Sequence, residues 1–358
     1  MKDYEFPVFK TKGEGRNEKF NLEDPVERRK YFELKAGLEI EKLKEYLQSN
    51  TFVGFLLGKK NSGKGTYSKL FMEAVGQEHV AHVSIGDIIR NIDQDLRDPE
   101  KKPRIIEILK KRYRGFITVD EVVETILNRS QQKLLPTEAI LAFVEMEIDR
   151  LGRKAIFIDG FPRNMDQVSL SLFFRSLMGY REDPDIFIFI DVPEKVIDER
   201  MKYRVVCPIC KTPRNLRLLR TKNVGYDSST KEYYLTCDNH SCNQARLVPK
   251  EGDSAGIESI RERIKIDDQV MRTLLGLQGV PKVFLRNSIP VDQAKDLVDA
   301  YEITPAYDYK YDESTQSVKI TEQPWTILDD NGHESYSLLP APIGVALIKQ
   351  IAQALGLL

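Results

Sequence analysis

The run Gly58-Lys59-Lys60-Asn61-Ser62-Gly63-Lys64-Gly65-Thr66 constrains this chain more than any other stretch. It follows the apolar segment Phe52-Val53-Gly54-Phe55-Leu56-Leu57 and precedes a segment that reads as a helix, so it predicts a buried strand, a glycine-rich turn and a helix in immediate succession. Such a turn closes successive backbone N–H groups around phosphate oxygens, and the helix N-terminus adds a favourable dipole. Lys64 supplies a mobile cation for the outer phosphates, and the Thr66 hydroxyl can stand near Mg²⁺. Gly58, Ser62, Gly63 and Gly65 complete the loop. Asn61 stands where a related pattern carries glycine; because asparagine tolerates positive φ, the turn is expected to survive.

Four further apolar runs, His79–Val83, Ala155–Ile158, Ile186–Ile190 and Lys282–Leu285, read as strands. Helical segments lie between them, Tyr67 to Val75, then the sets Ile105, Ile106, Leu109, Tyr113 and Val122, Val123, Ile126, then Ile140 to Ile148, and a last one, Val291 to about Tyr301, follows the fifth strand. That alternation predicts an α/β fold with a doubly wound parallel sheet, right-handed crossovers and a ligand site at the carboxyl ends of the strands. Asp159 ends one of those strands beside the loop, where a Mg²⁺ water shell needs a carboxylate. Asp24-Pro25-Val26-Glu27 reads as a helix start with Glu27 three residues after the cap, and Ala36, Ile40, Leu43 and Leu47 form one packing face of the helix it opens. Gly115-Phe116-Ile117-Thr118 is a turn that can approach a ligand closely.

All four cysteines fall between residues 207 and 242 as a CxxC pair, 26 intervening residues and a CxxHxC pair. The pattern reads as one tetrahedral structural Zn²⁺ site of Cys207, Cys210, Cys237 and Cys242, with His240 competing for the fourth place. Four protein ligands leave no open position, so such a metal folds a flap and does not activate water. Lys+Arg of 54 against Asp+Glu of 55 gives a net charge of −1, no basis for bulk binding to nucleic acid or an acidic membrane. The charged N-terminus lacks a signal-peptide pattern and no run of about 18 apolar residues occurs, so a soluble cytoplasmic protein is expected.

Gly58 to Thr66, Ser84-Ile85-Gly86-Asp87-Ile88-Ile89-Arg90, Asp159-Gly160-Phe161-Pro162-Arg163 and the pair Arg200/Arg204 recur in the order and approximate spacing of adenylate kinases and their nucleoside monophosphate kinase relatives. Over about residues 51–302 the chain resembles that family. The resemblance implies a P-loop NTPase-type core, a monophosphate-binding flap at about 84–150 and a zinc-binding lid at about 205–254. The flap looks longer than usual, because residues 129–150 add roughly a helix. Outside the core stand an N-terminal arm and helix (1–50) and a C-terminal hairpin and helix extension (303–358).

By motif position, the resemblance gives Lys64 and the loop amides the ATP phosphates, and Arg200 the region of adenine and phosphates. It assigns the acceptor's phosphate to Arg90 and Arg163, and the transferring phosphoryl group to Arg204 and Arg263. Asp87 and Asp159 act through Mg²⁺-bound water, and Ile85, Thr118 and Gln167 line the acceptor site. The implied reaction is reversible, Mg²⁺-dependent transfer from ATP to a nucleoside monophosphate by a monomer. Gln167 favours AMP, whereas Asn164 is a feature seen in the pyrimidine branch and Ile85 stands where AMP users commonly have Thr, so UMP, CMP or another nucleoside monophosphate is the alternative acceptor. A more distant alternative is an ATP-regulated module whose zinc knuckles bind RNA or protein. At the lid's return, Lys250-Glu251-Gly252-Asp253 departs from the family's arginine followed by paired acids, leaving Lys250 or Arg246 to fill that role.

Beyond residue 303, Tyr307, Tyr309 and Tyr311 alternate and can pair with Val318 and Ile320 after the Asp312-Glu313-Ser314 turn, giving a hairpin. Pro340 and Pro342 precede a helix bearing Ile343, Leu347, Ile351 and Leu355, with Ile348 and Leu358. So apolar a tail is expected to be buried on the core or the N-terminal helix, a dimer contact being the alternative.

Overall fold

The computed structural model describes residues 2, 4–13, 18–128, 135–165, 167–168 and 183–358. The five apolar runs form one parallel sheet: β1 (Val53–Gly58), β2 (Val80–Ser84), β3 (Ala155–Asp159), β4 (Asp185–Asp191) and the strand Lys282–Arg286. In space the order is Lys282–Arg286, β4, β1, β3, β2, so β1 lies at the centre and delivers the phosphate loop where the strand order reverses.

Side chains alternate across β1 as a strand requires, and each set joins a different core. Leu56 packs with Ile188, Ile190, Val283 and Leu285 under α1 (Pro25–Tyr46), α2 (Lys64–Val75) and the C-terminal helix Pro340–Ala354. Phe55 and Leu57 pack with Ile158, Phe187 and Phe189 under α3 (Ile85–Arg97), α4 (Lys102–Arg112), α5 (Val119–Leu127), α6 (Thr137–Leu151) and the helix Arg261–Leu275. The helix α6 carries the described part of the lengthened flap; the expectation for 129–134 lies outside the described residues.

The capping expectation holds in part. Asp24 accepts from the N–H groups of Val26 and Glu27, but Glu27 accepts from Asn21 N–H at 2.6 Å and does not reach back to its own cap. Ala36, Ile40, Leu43 and Leu47 are all buried. The C-terminal helix packs on α1, α2 and the Lys282–Arg286 strand, and Ile343, Leu347, Ile348 and Ile351 are fully buried. Leu358 corrects the expectation: it is 61% exposed. The helix stops at Ala354, and Gly356, at φ 69°, turns the last residues away.

Residues 204–249 form two small antiparallel sheets, Arg204–Val206 with Pro213–Asn215 and Val248–Pro249, and Val224–Asp227 with Glu232–Leu235. Their own apolar cluster is small: Cys207, Leu235, Cys237, Cys242 and Leu247. The expected hairpin forms from Pro305–Asp312 and Ser317–Pro324, pairing Tyr309 with Ile320 and Tyr311 with Val318. Its tyrosines settle on the cysteine-bearing insert, with Tyr311 stacked on Tyr226 at 4.4 Å and Tyr309 beside Tyr233 at 5.4 Å. The Tyr309 hydroxyl donates to Leu216 O at 2.5 Å, and Tyr307 N–H donates to Arg217 O at 2.8 Å. Among the described residues no helix is long and apolar enough to cross a membrane.

Candidate active site

The phosphate loop folds as its residue types require. Asn61 (φ 66°) and Gly63 (φ 93°) take the left-handed conformations, and α2 begins at Lys64. Among the described residues none accepts from the N–H groups of Asn61, Gly63, Lys64 or Gly65, which leaves a ring of donors at a helix N-terminus. Lys64 curls back over the loop, donating to Gly58 O at 2.8 Å and Lys59 O at 3.0 Å, with Asp159 3.9 Å from its ammonium. Burial pushes the Lys64 pKa down, Asp159 and Asp267 pull it up, and Arg263 and Arg163 push it down again. That set of partners defines the charged centre of the site. Ser62 is buried inside the turn, and Thr66 is exposed on the first turn of α2.

Register places the start of α3, where the acceptor was expected, next to this centre. β2 and β3 pair Ser84 with Asp159, so the start of α3 and the turn after β3 lie side by side. A Cβ on Gly86 would sit 3.3 Å from an Arg163 guanidinium nitrogen and 3.5 Å from one of Arg90, so both cations converge on this glycine. Gly160, at φ 87°, leaves the other side of Arg163 open; a Cβ there would be 2.7 Å from the guanidinium. Ile85 is buried as an apolar wall. Asp87 accepts from Arg90, and its N–H donates to Ser84 Oγ at 3.3 Å. Partial burial works against ionisation of Asp87, yet hydrogen bonding to Ser84 and Arg90 outweighs it and holds the carboxyl below its ordinary range. The Arg90–Asp87 pair is exposed, and such pairs are worth about 1 kcal/mol or less, too little to keep Arg90 from an arriving phosphate.

Gln167 and Thr118, expected at the acceptor site, each have partners within the protein. Gln167 is 1% exposed and its amide is committed inward: Oε1 accepts from Arg163 N–H at 2.8 Å, and Nε2 donates to the Thr137 hydroxyl at 3.2 Å. It shapes the turn that carries Arg163. Thr118 caps α5, its N–H and hydroxyl both donating to Glu121 at 2.7 Å, because helix ends leave N–H groups to satisfy.

The remaining arginines are held by partners. Arg200, on the helix Glu194–Lys202, donates to Asn287 Oδ1 at 3.2 Å and bonds the Tyr67 hydroxyl, while the Tyr67 ring lies against Gly63. Arg204 Nε donates to Asp253 Oδ2 at 2.5 Å at the base of the insert. Arg263 bonds Arg163 O at 3.4 Å and Asp267 at 2.8 Å. Lys250 is exposed, whereas Arg246 is tied to Asp227 at 2.9 Å and lies 4.2 Å over the Tyr234 ring. Arg246 is thus engaged within the insert.

Sequence reasoning missed Asp267, Lys59 and Asn287. Asp267 stands four residues after Arg263, a spacing that signals a helical ion pair. Lys59, 2% exposed, turns under the loop to Asp330 at 2.5 Å, and Asn287 bridges Arg200, Tyr67 and Leu338. Neither of these carries a local signal, since their partners lie far along the chain.

The four cysteine sulfurs all lie within 4.8 Å of one another, and Cys210 and Cys237 are 3.6 Å apart. Zn–S bonds of about 2.3 Å in a tetrahedron place sulfurs about 3.8 Å apart, so the thiols fit zinc. His240 lies outside this group. Hydrogen bonding with Thr212 lowers the Cys210 thiol, whereas burial and the neighbouring thiols raise that of Cys242.

No protein-family model matches the chain. It is 32% identical to an adenylate kinase of Kosmotoga olearia over 59% of this chain and 79% of the relative. An adenylate kinase of Thermotoga petrophila is 30% identical over 59% of this chain and 77% of its own length. An adenylate kinase of Mycoplasma mobile is 27% identical over 61% of this chain and 82% of its own.

Proposed function

The chain belongs to the adenylate kinase family, as a nucleoside monophosphate phosphotransferase, and from that premise we propose that it transfers the γ-phosphoryl group of ATP reversibly to AMP. The observation that carries this reading is the meeting of Lys64, Asp159, Arg163 and Arg263 at the carboxyl ends of β1 and β3, beside free loop amides. Phosphoryl transfer leaves a protein little covalent chemistry, so its work is to hold two anions in line and neutralise the moving charge.

In this reading the loop amides and Lys64 take the ATP phosphates, and Arg90 and Arg163 take the acceptor phosphate. Arg200 lies along the nucleotide of ATP. Arg263 and Arg204 answer charge on the transferring group, Arg204 leaving Asp253 as residues 205–254 close like a lid. Water exclusion then strengthens each of these contacts. Mg²⁺, when bound, would supply positive charge to offset the phosphates; Asp159 and Asp87 would hold its water shell, with Thr66 near it. The four cysteines are read as a structural Zn²⁺ site that folds the insert.

AMP rests on the relatives, which are adenylate kinases. A coupled assay of ATP against AMP, UMP, CMP and GMP tests it. AMP is expected to give the highest kcat/KM; a better rate with UMP or CMP overturns the assignment.

A further inference from the structure

We propose that Asp267 is a positioning residue that fastens the phosphate loop to Arg263, so that the ATP loop and the arginine that answers charge on the transferring group move as one unit. The carboxylate is 8% exposed and faces both partners at once. Oδ1 is 2.8 Å from an Arg263 guanidinium nitrogen, and Oδ2 accepts the backbone N–H of Lys60 at 3.0 Å. The other terminal nitrogen of Arg263 donates to Arg163 O at 3.4 Å. A continuous path therefore runs from the Lys60 amide through Asp267 and Arg263 to the backbone of Arg163.

A plain helical ion pair does not account for this arrangement. An exposed pair at this spacing needs no burial and no third partner, and it adds little to stability. Here the carboxylate is removed from water and spends its second oxygen on a loop from another part of the fold. Removing one partner of a buried charge pair leaves the other unsatisfied, so the three groups are expected to behave as a unit. Arg263 carries a long side chain with several rotatable bonds, and its use at a transferring phosphoryl group depends on being held in one geometry. Asp267 supplies that hold from behind, without touching the nucleotides.

The proposal deepens the phosphotransferase reading and rests on it for the role of Arg263. Its test is a double-mutant cycle of Asp267→Asn and Arg263→Ala, followed by kcat and KM for ATP and AMP. Asparagine keeps the shape and an acceptor for Lys60 N–H but loses the charge that holds Arg263. Asp267→Asn alone is expected to lower kcat about tenfold with little change in KM, and in the Arg263→Ala background to lower it less than about twofold. Losses that simply multiply across the cycle overturn the proposal.

Asp267→Ala removes both contacts and is expected to weaken ATP binding several-fold as well, read by calorimetry without turnover; unchanged affinity overturns the loop half. Thermal unfolding of each variant separates these effects from loss of fold. Absence of wild-type turnover with every acceptor would count against the phosphotransferase reading, while the calorimetric comparison would still decide the link from Asp267 to the loop.

Discussion

At the scale of single residues, this site is built from cations held ready by carboxylates and carbonyls. Arg204 is the case in which the holding partner is most visible, because Asp253 lies 2.5 Å from its Nε. If Arg204 answers charge on the transferred group, Arg204→Ala lowers kcat by roughly 10³-fold, the scale of other such arginines. Steady-state kinetics check this, and a loss under about tenfold removes the residue from that role. Gln167 is different in kind. Its buried amide supports the Arg163 N–H, so Gln167→Ala is expected to lower kcat/KM for AMP at least about tenfold and to lower it comparably for CMP and UMP. A loss confined to AMP would instead put the amide on the acceptor base.

At the scale of elements, the cysteine insert shows how little apolar burial can hold a fold. Its core cluster is five residues, three of them cysteines, which is too small to order two sheets unaided. One Zn²⁺ per chain is therefore expected by metal analysis of protein purified without chelators. Cys207→Ser is expected to lower Tm more than His240→Ala, since Cys207 is in the sulfur group and His240 is not. Equal damage from the two substitutions would make His240 a ligand. The C-terminal hairpin is the second support. Trp325 N–H donates to Thr304 O at 3.0 Å, so the ends of the hairpin abut and 305–324 can be removed with a short bridge. That deletion is expected to speed hydrogen exchange in Val224–Asp227 and Glu232–Leu235 while leaving β1 and β4 protected, because the stacked tyrosines lose their partners.

At the scale of the whole molecule, the N-terminal arm and α1 are tied to the segment that leads into the C-terminal extension by one buried acid. Glu302 accepts from the hydroxyls of Thr11 and Tyr31, each at 2.5 Å, and from Asp299 N–H at 2.8 Å, with Lys35 3.9 Å away. Burial raises its carboxyl above the ordinary range, and those hydrogen bonds with the charge of Lys35 recover only part of the shift. The sign follows from linkage: a raised folded-state pKa gives a contribution that is whole below the unfolded value, about 4.3, and is lost as pH rises through the folded value. Glu302→Gln cannot ionise. The Tm advantage of the wild type over Glu302→Gln is therefore expected to shrink as pH is raised from about 4 towards neutrality, measured by thermal unfolding. A constant difference would mean that Glu302 titrates normally in the fold, and a growing one that its carboxyl is lowered there; either overturns the expectation.

The amino-acid sequence by itself determined the five sheet strands, the phosphate loop, the cysteine set and the hairpin pairing, because each is written in local periodicity, turn chemistry or short spacing. Asn61 could be read as a left-handed turn residue from its chemistry alone, and it is one. Only the tertiary structure decided what meets what across long separations. Leu358 escapes burial because the helix ends before it, and the Gln167 amide turns inward because Arg163 N–H needs an acceptor there. Lys59 finds Asp330, Asp267 finds Lys60, and the alternating tyrosines find the cysteine insert, although no pattern along the chain announces those partners. The physical reason is that periodicity fixes which face of an element is apolar, whereas the partner of a buried polar group is chosen by whichever donor or acceptor the packed elements bring within hydrogen-bond reach.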